Sequence, residues 1–274
     1  MSCVYSNDRT GVRHDLFLLG AGTILALTVG GIVGNSAKHE AREAALARLR
    51  TVARPDHRHH WDLAEFIADF EGSADATAQL LTLDAYRSAS VVFVTPDNGL
   101  RRLREQALHD GKRLLVSTCG IGRGFLGVDG ATLTREQAVL ASTMEGIDEL
   151  AHAVTLADVA REWQPTLLVT GALAVTRDGL RLGKGRGYFD LEWALLCTAG
   201  AVQRDATVVT LVHDIQVTAD RLPTAEHDVI SDWIVTPSAA IATGRTGMRS
   251  GAIEWDRLSA EKIAATPPLQ ELSR

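Results

Sequence analysis

Three glycines at alternate positions separate an apolar segment of the chain from an amphipathic one. They are Gly183, Gly185 and Gly187, in the string RLGKGRGYFD. The segment before them, 166–175, is apolar and β-branched, as expected of a strand that is buried on both faces. The segment after them, about 188–201, has the apolar spacing of a helix. The sequence therefore predicts a strand, a glycine-rich loop and a helix in succession.

A loop of this composition can hold phosphate groups. Glycine lets the backbone approach a ligand closely. Amides of the loop and of the helix start would point at the anion, and the helix dipole favours its negative charge. Lys184 and Arg186, which alternate with the glycines, add positive charge. We expect the ligand to be a nucleotide polyphosphate; tight packing at a strand-to-helix turn is the alternative explanation for the glycines.

The two best-known phosphate-binding patterns do not fit this loop. A P-loop whose Gly-Lys pair is Gly183-Lys184 would need glycine at Asp178 and serine or threonine at Gly185. A dinucleotide fingerprint that starts at Gly183 would need glycine at Tyr188. The loop therefore belongs to a different class.

The segment from Arg181 to Asp190 resembles the ATP loop of the 5-formyltetrahydrofolate cyclo-ligase family. That loop has arginine, an apolar residue, three alternating glycines, tyrosine, an aromatic residue and aspartate. The longer string GALAVTRDGLRLGKGRGYFDLEWALL is similar to a divergent, cyclo-ligase-like branch of the family. HDIQV at 213–217 and EHDV at 226–229 also match that branch. The resemblance covers roughly Lys38 to Leu272.

This resemblance implies a reaction and its ligands. Family members use ATP and magnesium to convert 5-formyltetrahydrofolate into 5,10-methenyltetrahydrofolate, by phosphorylating the formyl oxygen so that N10 can attack the activated carbon. The resemblance implies catalytic roles for Lys184 and Arg181 and a magnesium-binding role for Asp190. The residues that it implies for nucleotide binding are Lys38, Arg42, Gly183, Lys184, Gly185, Arg186, Gly187 and Tyr188.

Lys38 and Arg42 match a Lys-x-x-x-Arg pattern on the first helix of the family, where the two cations bind ATP phosphates. In this sequence they lie at the start of a predicted helix, Glu40 to Arg50, with Asn35 or Ser36 as the expected cap. A solvated helix face is the alternative explanation for charges at this spacing.

Two departures from the family pattern concern the substrate. In the enzymes, a strand that ends in Tyr-x-Pro is followed by a glutamate that contacts the pterin ring. Here Thr95-Pro96 is followed by Asp97, and no glutamate occurs until Glu105. Leu191 follows the loop's Asp190 where the enzymes usually have arginine. We therefore expect ATP binding with poor or no turnover of 5-formyltetrahydrofolate, another pterin or heterocycle being an alternative substrate. A nucleotide- or folate-binding protein without turnover is the alternative function.

The remaining sequence predicts a single α/β domain. A strand, a helix and a second strand at this spacing form a right-handed parallel crossover. We expect three layers, α/β/α, with a mostly parallel open sheet and a ligand cleft at the carboxyl ends of its strands. The predicted strands are 90–95, 112–118, 207–213 and 233–236, and the predicted helices are 74–83, 98–109 and 150–163. The glycine-rich segment 120–130 is expected to be either a mobile active-site loop or a surface connection.

An uncharged apolar stretch, Leu16 to Gly34, precedes this domain. It can be interpreted as a membrane span, a signal peptide or a translated leader. Only three residues would separate a span from Lys38, so a span would press the cleft against lipid headgroups. We therefore favour a dispensable leader at 1–36, a cyclo-ligase-like domain at 37–274 and a cytoplasmic location, with a membrane tether through 16–34 as the alternative.

Composition disfavours several other classes of protein. The net charge of −6 and the pI near 5.8 disfavour nonspecific binding to nucleic acid or anionic membrane. Three widely spaced cysteines indicate neither a disulfide framework nor a zinc cluster, and we expect Cys119 to be a buried or half-buried thiol. The histidines at 57, 59 and 60 are expected in a solvated loop, with metal binding as the alternative.

Overall fold

The computed structural model describes residues 29–56, 63 and 66–273. Its helices are α1 (Val29–Leu49), α2 (Ser73–Leu81), α3 (Asp84–Ser88), α4 (Arg101–His109), α5 (Arg135–Ala141), α6 (Ile147–Leu150), α7 (Leu156–Glu162), α8 (Tyr188–Thr198), α9 (Ala260–Ala264) and α10 (Pro267–Leu272). Its strands are β1 (Val91–Val94), β2 (Arg113–Ser117), β3 (Phe125–Asp129), β4 (His152–Val154), β5 (Leu167–Thr170), β6 (Ala174–Thr176), β7 (Arg181–Leu182), β8 (Thr207–Leu211), β9 (Val217–Thr218), β10 (Trp233–Val235) and β11 (Ala240–Ala242).

Eight strands form the main sheet, in the order β11-β10-β8-β5-β1-β2-β3-β4. The five central strands, from β10 to β2, pair in parallel, and the outer pairs β10–β11, β2–β3 and β3–β4 are antiparallel. A small second sheet has the order β7-β6-β9 and leads into the glycine-rich loop. The prediction of a mostly parallel open sheet is confirmed.

Helices cover both faces of the main sheet. In β1, Val92 and Val94 belong to a core that includes residues of α2 and α4. Val91 and Phe93, which point to the opposite face, belong to a second core that includes residues of α7 and α8. A strand buried on both faces has no polar side, which explains its continuous apolar sequence. The predicted three-layer α/β/α arrangement is therefore confirmed.

The glycine-rich segment 120–130 contains a strand that we did not predict. Strand β3 pairs with β2 over five residues, with Gly127 opposite Leu115. A Cβ atom on Gly127 would lie 2.8 Å from the ring of Trp163, so this glycine makes room for the indole within the sheet. The sequence did not reveal this strand, because Gly127 interrupts the apolar pattern that is typical of a strand.

The predicted helix 150–163 is also wrong in part. Helix α6 ends at Leu150, strand β4 follows, and helix α7 begins only at Leu156. Thr155 caps α7: its hydroxyl accepts the amide N–H of Asp158, and the Asp158 carboxylate accepts the amide N–H of Thr155. This capping box starts a new helix and so divides the segment in two.

The predicted strand 166–175 is divided at Gly171. Strand β5 ends at Thr170 in the main sheet, and the chain then enters the small sheet as β6. A Cβ atom on Gly171 would lie 3.0 Å from the Asp97 carboxylate, so the chain passes close to the end of β1 at this point. The division places the glycine-rich loop beside the carboxyl ends of β1 and β5.

Helix α1 begins earlier than predicted. It runs from Val29 to Leu49, so that Asn35 and Ser36 lie inside the helix and cannot cap it. Residues 1–28, with most of the apolar stretch, and the histidines at 57, 59 and 60 lie outside the described residues. Among the helices that the structure does describe, none is long and apolar enough to cross a membrane. The leader at 1–36 stays a prediction.

A buried arginine fixes the connection from β1 to α4. Arg104 is 1% exposed and donates hydrogen bonds to the carbonyl oxygens of Thr95 (2.8 Å), Asp97 (3.0 Å) and Ser142 (2.9 Å). We expect Arg104→Met to lower the free energy of unfolding by about 3 kcal/mol, because three buried carbonyls lose their donors. Urea unfolding measures this loss. Arg101→Met, on the exposed side of α4, is the control and should change stability by less than about 0.5 kcal/mol.

Candidate active site

A cleft of about 200 Å³ opens at the carboxyl ends of β1 and β5. Its walls come from α1, the β1–α4 connection, the glycine-rich loop with the start of α8, and the segment 223–228. Every predicted site residue lines this cleft: Lys38, Arg42, Arg181, Gly183, Lys184, Gly185, Arg186, Gly187, Tyr188 and Asp190. Residues separated by about 150 positions in the sequence therefore meet at one site.

The glycine-rich loop needs glycine for two different reasons. Gly185 has a φ of +94°, and a Cβ atom there would lie 2.9 Å from the guanidinium carbon of Arg42. Gly187 has a φ of +62° and immediately precedes α8. At Gly183 and Gly187 a Cβ atom would meet no described atom within 4 Å, so the space above them is open. Packing therefore explains Gly185, whereas the open space leaves room for a ligand at the other two.

Helix α1 brings two cations to the loop. The Arg42 Nε atom donates to the Gly183 carbonyl oxygen at 3.2 Å, and the Lys38 ammonium lies 3.7 Å from the Asp228 carboxylate. Burial lowers the pKa of Arg42, and the negative charge of Asp228 opposes this shift. With Lys184 and Arg186 from the loop, the rim of the cleft carries four cationic side chains. Such a rim favours a polyanionic ligand.

Arg181 and Asp190 form a buried ion pair at the base of the loop. The Arg181 guanidinium is 2.8 Å from Asp190 Oδ1, and the arginine side chain is only 6% exposed. Arg181 also donates to the Val229 carbonyl oxygen (3.1 Å) and lies over the Phe189 ring. Asp190 Oδ1 accepts the amide N–H of Val229 at 3.0 Å. In this arrangement Arg181 orients Asp190, and the predicted catalytic role of Arg181 stays a prediction.

Asp228 is a site residue that the sequence did not single out. Its Oδ2 atom accepts the amide N–H of Ala225 at 2.7 Å and lies near Lys38. Because the next residue, Val229, is bonded to Asp190, the two carboxylates are held at the same side of the cleft. The string EHDV at 226–229 indicated the resemblance to the family branch. The His227 imidazole of the same string lies at the edge of the cleft, 3.2 Å from the Glu254 carboxylate.

A magnesium ion at this site would depend on few protein ligands. Magnesium prefers carboxylate, phosphate and water oxygens in an octahedral arrangement and usually keeps several waters. Asp190 and Asp228 supply carboxylates beside the predicted phosphate loop, which fits that preference. In the described ranges, no group of three or more His, Cys, Asp or Glu side chains is arranged to hold a metal by itself. Phosphate oxygens would therefore have to complete the coordination.

Asp97 lies on the floor of the cleft. Its Oδ2 atom accepts the Thr95 hydroxyl (2.7 Å) and the amide N–H of Gly171 (3.1 Å). Arg104 holds the Asp97 carbonyl oxygen, so both the backbone and the side chain are fixed. The carboxylate stands where β1 and β5 end, which is the usual place for ligands of open parallel sheets.

Glu192, one turn into α8, is a second carboxyl group on the floor that the sequence did not reveal. It is 2% exposed, and its Oε2 atom is buried without a hydrogen-bond partner among the described residues. Burial raises the pKa of Glu192, the Ser117 hydroxyl and Arg181 lower it, and the charges of Asp97 and Asp190 raise it; the net result is a pKa of about 8. A helical pattern gives only one apolar face, so it could not show that this glutamate points inward.

Cys119 also differs from its prediction. The thiol is exposed and lines the cleft, instead of being buried. A Cβ atom on the following residue, Gly120, would lie 3.2 Å from the Tyr188 hydroxyl, so Tyr188 at the start of α8 packs on this turn.

The Glu192 carboxyl makes stability depend on pH. In the metal-free folded protein it keeps its proton up to about pH 8, whereas in the unfolded chain it loses the proton near its ordinary pKa of 4.5. The wild type should therefore lose stability as pH rises from 4.5 to 8, and Glu192→Gln should not share this loss. We expect the difference in unfolding free energy to grow to roughly 4 kcal/mol at pH 8. Urea unfolding in EDTA measures it, with exposed Glu149→Gln as the control; a difference that does not vary with pH would contradict this assignment.

Comparison with known proteins identifies the relatives of this chain. The sequence profile described as the 5-formyltetrahydrofolate cyclo-ligase family matches residues 34–237. A methenyltetrahydrofolate synthase domain-containing protein of Mus musculus is 33% identical over 229 residues, which cover 79% of this chain and 60% of the relative. The Homo sapiens protein of the same description is 33% identical over 75% of this chain and 54% of its own length. The chain thus spans little more than half of these relatives.

A solved structure also aligns with this chain. It is the NMR structure of Aquifex aeolicus 5,10-methenyltetrahydrofolate synthetase, with 20% sequence identity and a TM-score of 0.48. The alignment covers 78% of this chain and 96% of that protein.

Proposed function

The chain belongs to the 5-formyltetrahydrofolate cyclo-ligase family, and we propose that it binds ATP with magnesium and uses them on a reduced folate or a related heterocycle. One observation carries the proposal. The cations of α1, the glycine-rich loop and the carboxylates of Asp190 and Asp228 converge in one cleft. In the family, conversion of 5-formyltetrahydrofolate to 5,10-methenyltetrahydrofolate is the reaction that such a cleft would serve.

The phosphate end of the proposed ligand is at the loop. Open space above Gly183 and Gly187 lets backbone amides approach phosphate oxygens, and Lys38, Arg42 and Lys184 supply positive charge around them. Asp190 and Asp228 would hold magnesium, which supplies charge neutralisation at the phosphates. Phosphoryl transfer depends on positioning and charge neutralisation more than on covalent help from the protein. The residues of this cleft are suited to both tasks.

The ring end of the substrate is assigned to the floor. Asp97 presents a fixed carboxylate, which accepts hydrogen bonds from ring N–H groups. Glu192, protonated at neutral pH in the ligand-free protein, can donate a hydrogen bond as well as accept one. A substrate with donors and acceptors along one ring edge, such as a pterin, satisfies both groups. The ring of such a substrate would also give Glu192 Oε2 the hydrogen-bond partner that it lacks among the described residues.

A binding protein without turnover is the second candidate. Its support is the residue that follows Asp190: Leu191 contributes to a neighbouring apolar pocket, so it brings no cation to the cleft at the position where the family enzymes usually carry arginine. A site with one less cation can still bind the nucleotide while stabilising the transferring phosphoryl group less well. The cytoplasmic location and the absence of nucleic-acid or membrane partners are further parts of the proposal, and the net charge of −6 supports them.

Substitutions at Lys184 and Asp190 distinguish the loss of a charged contact with the ligand from a loss of folding stability. Lys184→Ala should slow ATP turnover, because the transition state loses roughly 2–4 kcal/mol of stabilisation. The urea midpoint of unfolding should stay unchanged. Asp190→Ala should abolish turnover and also lower stability by on the order of 3 kcal/mol, because Arg181 would keep a buried charge without its partner. Phosphate release and urea unfolding are the two measurements. Wild-type phosphate release in Lys184→Ala would refute the role of the loop.

The substrate is tested directly by formation of the methenyl product from 5-formyltetrahydrofolate, ATP and magnesium. We expect ATP to bind and the methenyl product to form slowly or not at all, because Asp97 replaces the glutamate of the enzymes. Absorbance of the methenyl product measures this. Rapid product formation would contradict the expectation; loss of that activity in Asp97→Asn, with ATP binding retained, would then assign the ring contact to Asp97.

A further inference from the structure

A second pocket, of about 160 Å³, adjoins the cleft. The two cavities share Gly187, Asp190 and His227, so they meet at the start of α8. The walls of the second pocket are mainly apolar and come from α8 and from the segment after β11: Leu191, Trp193, Ala194, Ala252, Ile253 and Leu258. Its chemistry therefore contrasts with the cationic rim of the cleft.

The outer wall of the second pocket lies beyond the part of the chain that the family profile matches. The profile ends at residue 237, whereas this wall is formed by residues 250–258. The family profile therefore covers the α8 side of the pocket and does not cover its outer wall.

Buried polar contacts hold this wall against the sheet. Arg249, 6% exposed, donates to the carbonyl oxygens of Ile230 (2.7 Å) and Ala206 (3.0 Å) and pairs with Asp232. The Trp193 indole N–H donates to the Ser250 carbonyl oxygen at 2.7 Å. The wall is therefore built before a ligand arrives, which lowers the entropy cost of binding.

The sizes of the two cavities indicate one shared ligand. Pockets for drug-sized molecules usually measure roughly 300–1,000 Å³. Neither cavity reaches that range alone, and the two together do. A ligand with an anionic chain and a flat apolar ring would place its charge at the loop and its ring against the apolar walls that include Trp193 and Leu258. A nucleoside triphosphate has this construction.

We propose that the second pocket binds the heteroaromatic base of the nucleotide whose phosphates lie at the glycine-rich loop. The inference rests on the proposed function and adds the position of the base. Polar groups at the rim suit the edge of such a ring: the Glu254 carboxylate accepts hydrogen bonds, and Arg257, 3.0 Å from that carboxylate, donates them. Gly187 lines both cavities, and a Cβ atom there would meet no described atom within 4 Å. The sugar would therefore have space between the two cavities.

The test compares ATP with inorganic tripolyphosphate, which has the phosphates but no base. Ala252 is exposed and lines the pocket, so Ala252→Phe fills the pocket from its outer wall without disturbing the core. Calorimetry in magnesium should show ATP affinity lowered by about tenfold or more and tripolyphosphate affinity unchanged. Leu258→Ala, which removes ring contact, should have the same selective effect. Ala260→Phe, exposed on α9 and outside the pocket, is the matched control and should change neither affinity.

The other outcomes refute different statements. If Ala252→Phe and Leu258→Ala leave ATP affinity unchanged, or lower ATP and tripolyphosphate affinity equally, the position of the base is wrong and the proposed function stands. If Ala252→Phe lowers affinity for a reduced folate and not for ATP, the folate occupies the pocket and the inference is wrong. If the wild type binds neither ATP nor tripolyphosphate, the proposed function fails, and the inference fails with it.

Discussion

The contact between Arg42 and the glycine-rich loop is the constraint on which the site depends. It joins residues 141 positions apart, through the hydrogen bond from Arg42 to the Gly183 carbonyl and the close approach of the guanidinium to Gly185. Apolar packing of Ala45, Leu46 and Leu49 holds the later turns of α1, and the Arg42 contact fixes the turn next to Lys38 beside the cleft. Glycine is thus required at position 185 by packing between two parts of the chain as well as by the positive φ of the loop.

A second tie works from the opposite side. Arg181 and Asp190 both bond the backbone of Val229, one through its carbonyl oxygen and the other through its amide. The base of the loop, the start of α8 and the segment that carries Asp228 therefore form one hydrogen-bonded unit. Since these contacts are buried, moving any of the three would leave polar groups unpaired. The two carboxylates are positioned by this unit and not by the sheet alone.

Local patterns predicted the parts of this protein whose chemistry repeats along the chain. The apolar runs gave the parallel strands, and the alternating glycines gave the loop with its cations. Strand β3 was missed because Gly127 makes room for Trp163, a partner that only the folded chain reveals. The inward direction of Glu192 and the position of residues 250–258 beside α8 were missed for the same reason. Tertiary contacts, which no local pattern records, decide all three.

The divergence from the family enzymes has one physical direction. The residue after Asp190, an arginine in the usual loop pattern, is Leu191 here, and it lines the second pocket beside Trp193. That single change removes a cation at the start of α8 and adds apolar surface to the second pocket. Asp97, at the floor of the cleft, is likewise a departure from the sequence pattern of the family enzymes. The three glycines of the loop, Lys38 and Arg42 retain that pattern. The differences therefore fall at the floor of the cleft and just after Asp190, whereas the glycine-rich loop and the cations of α1, which we propose to hold phosphate, are retained.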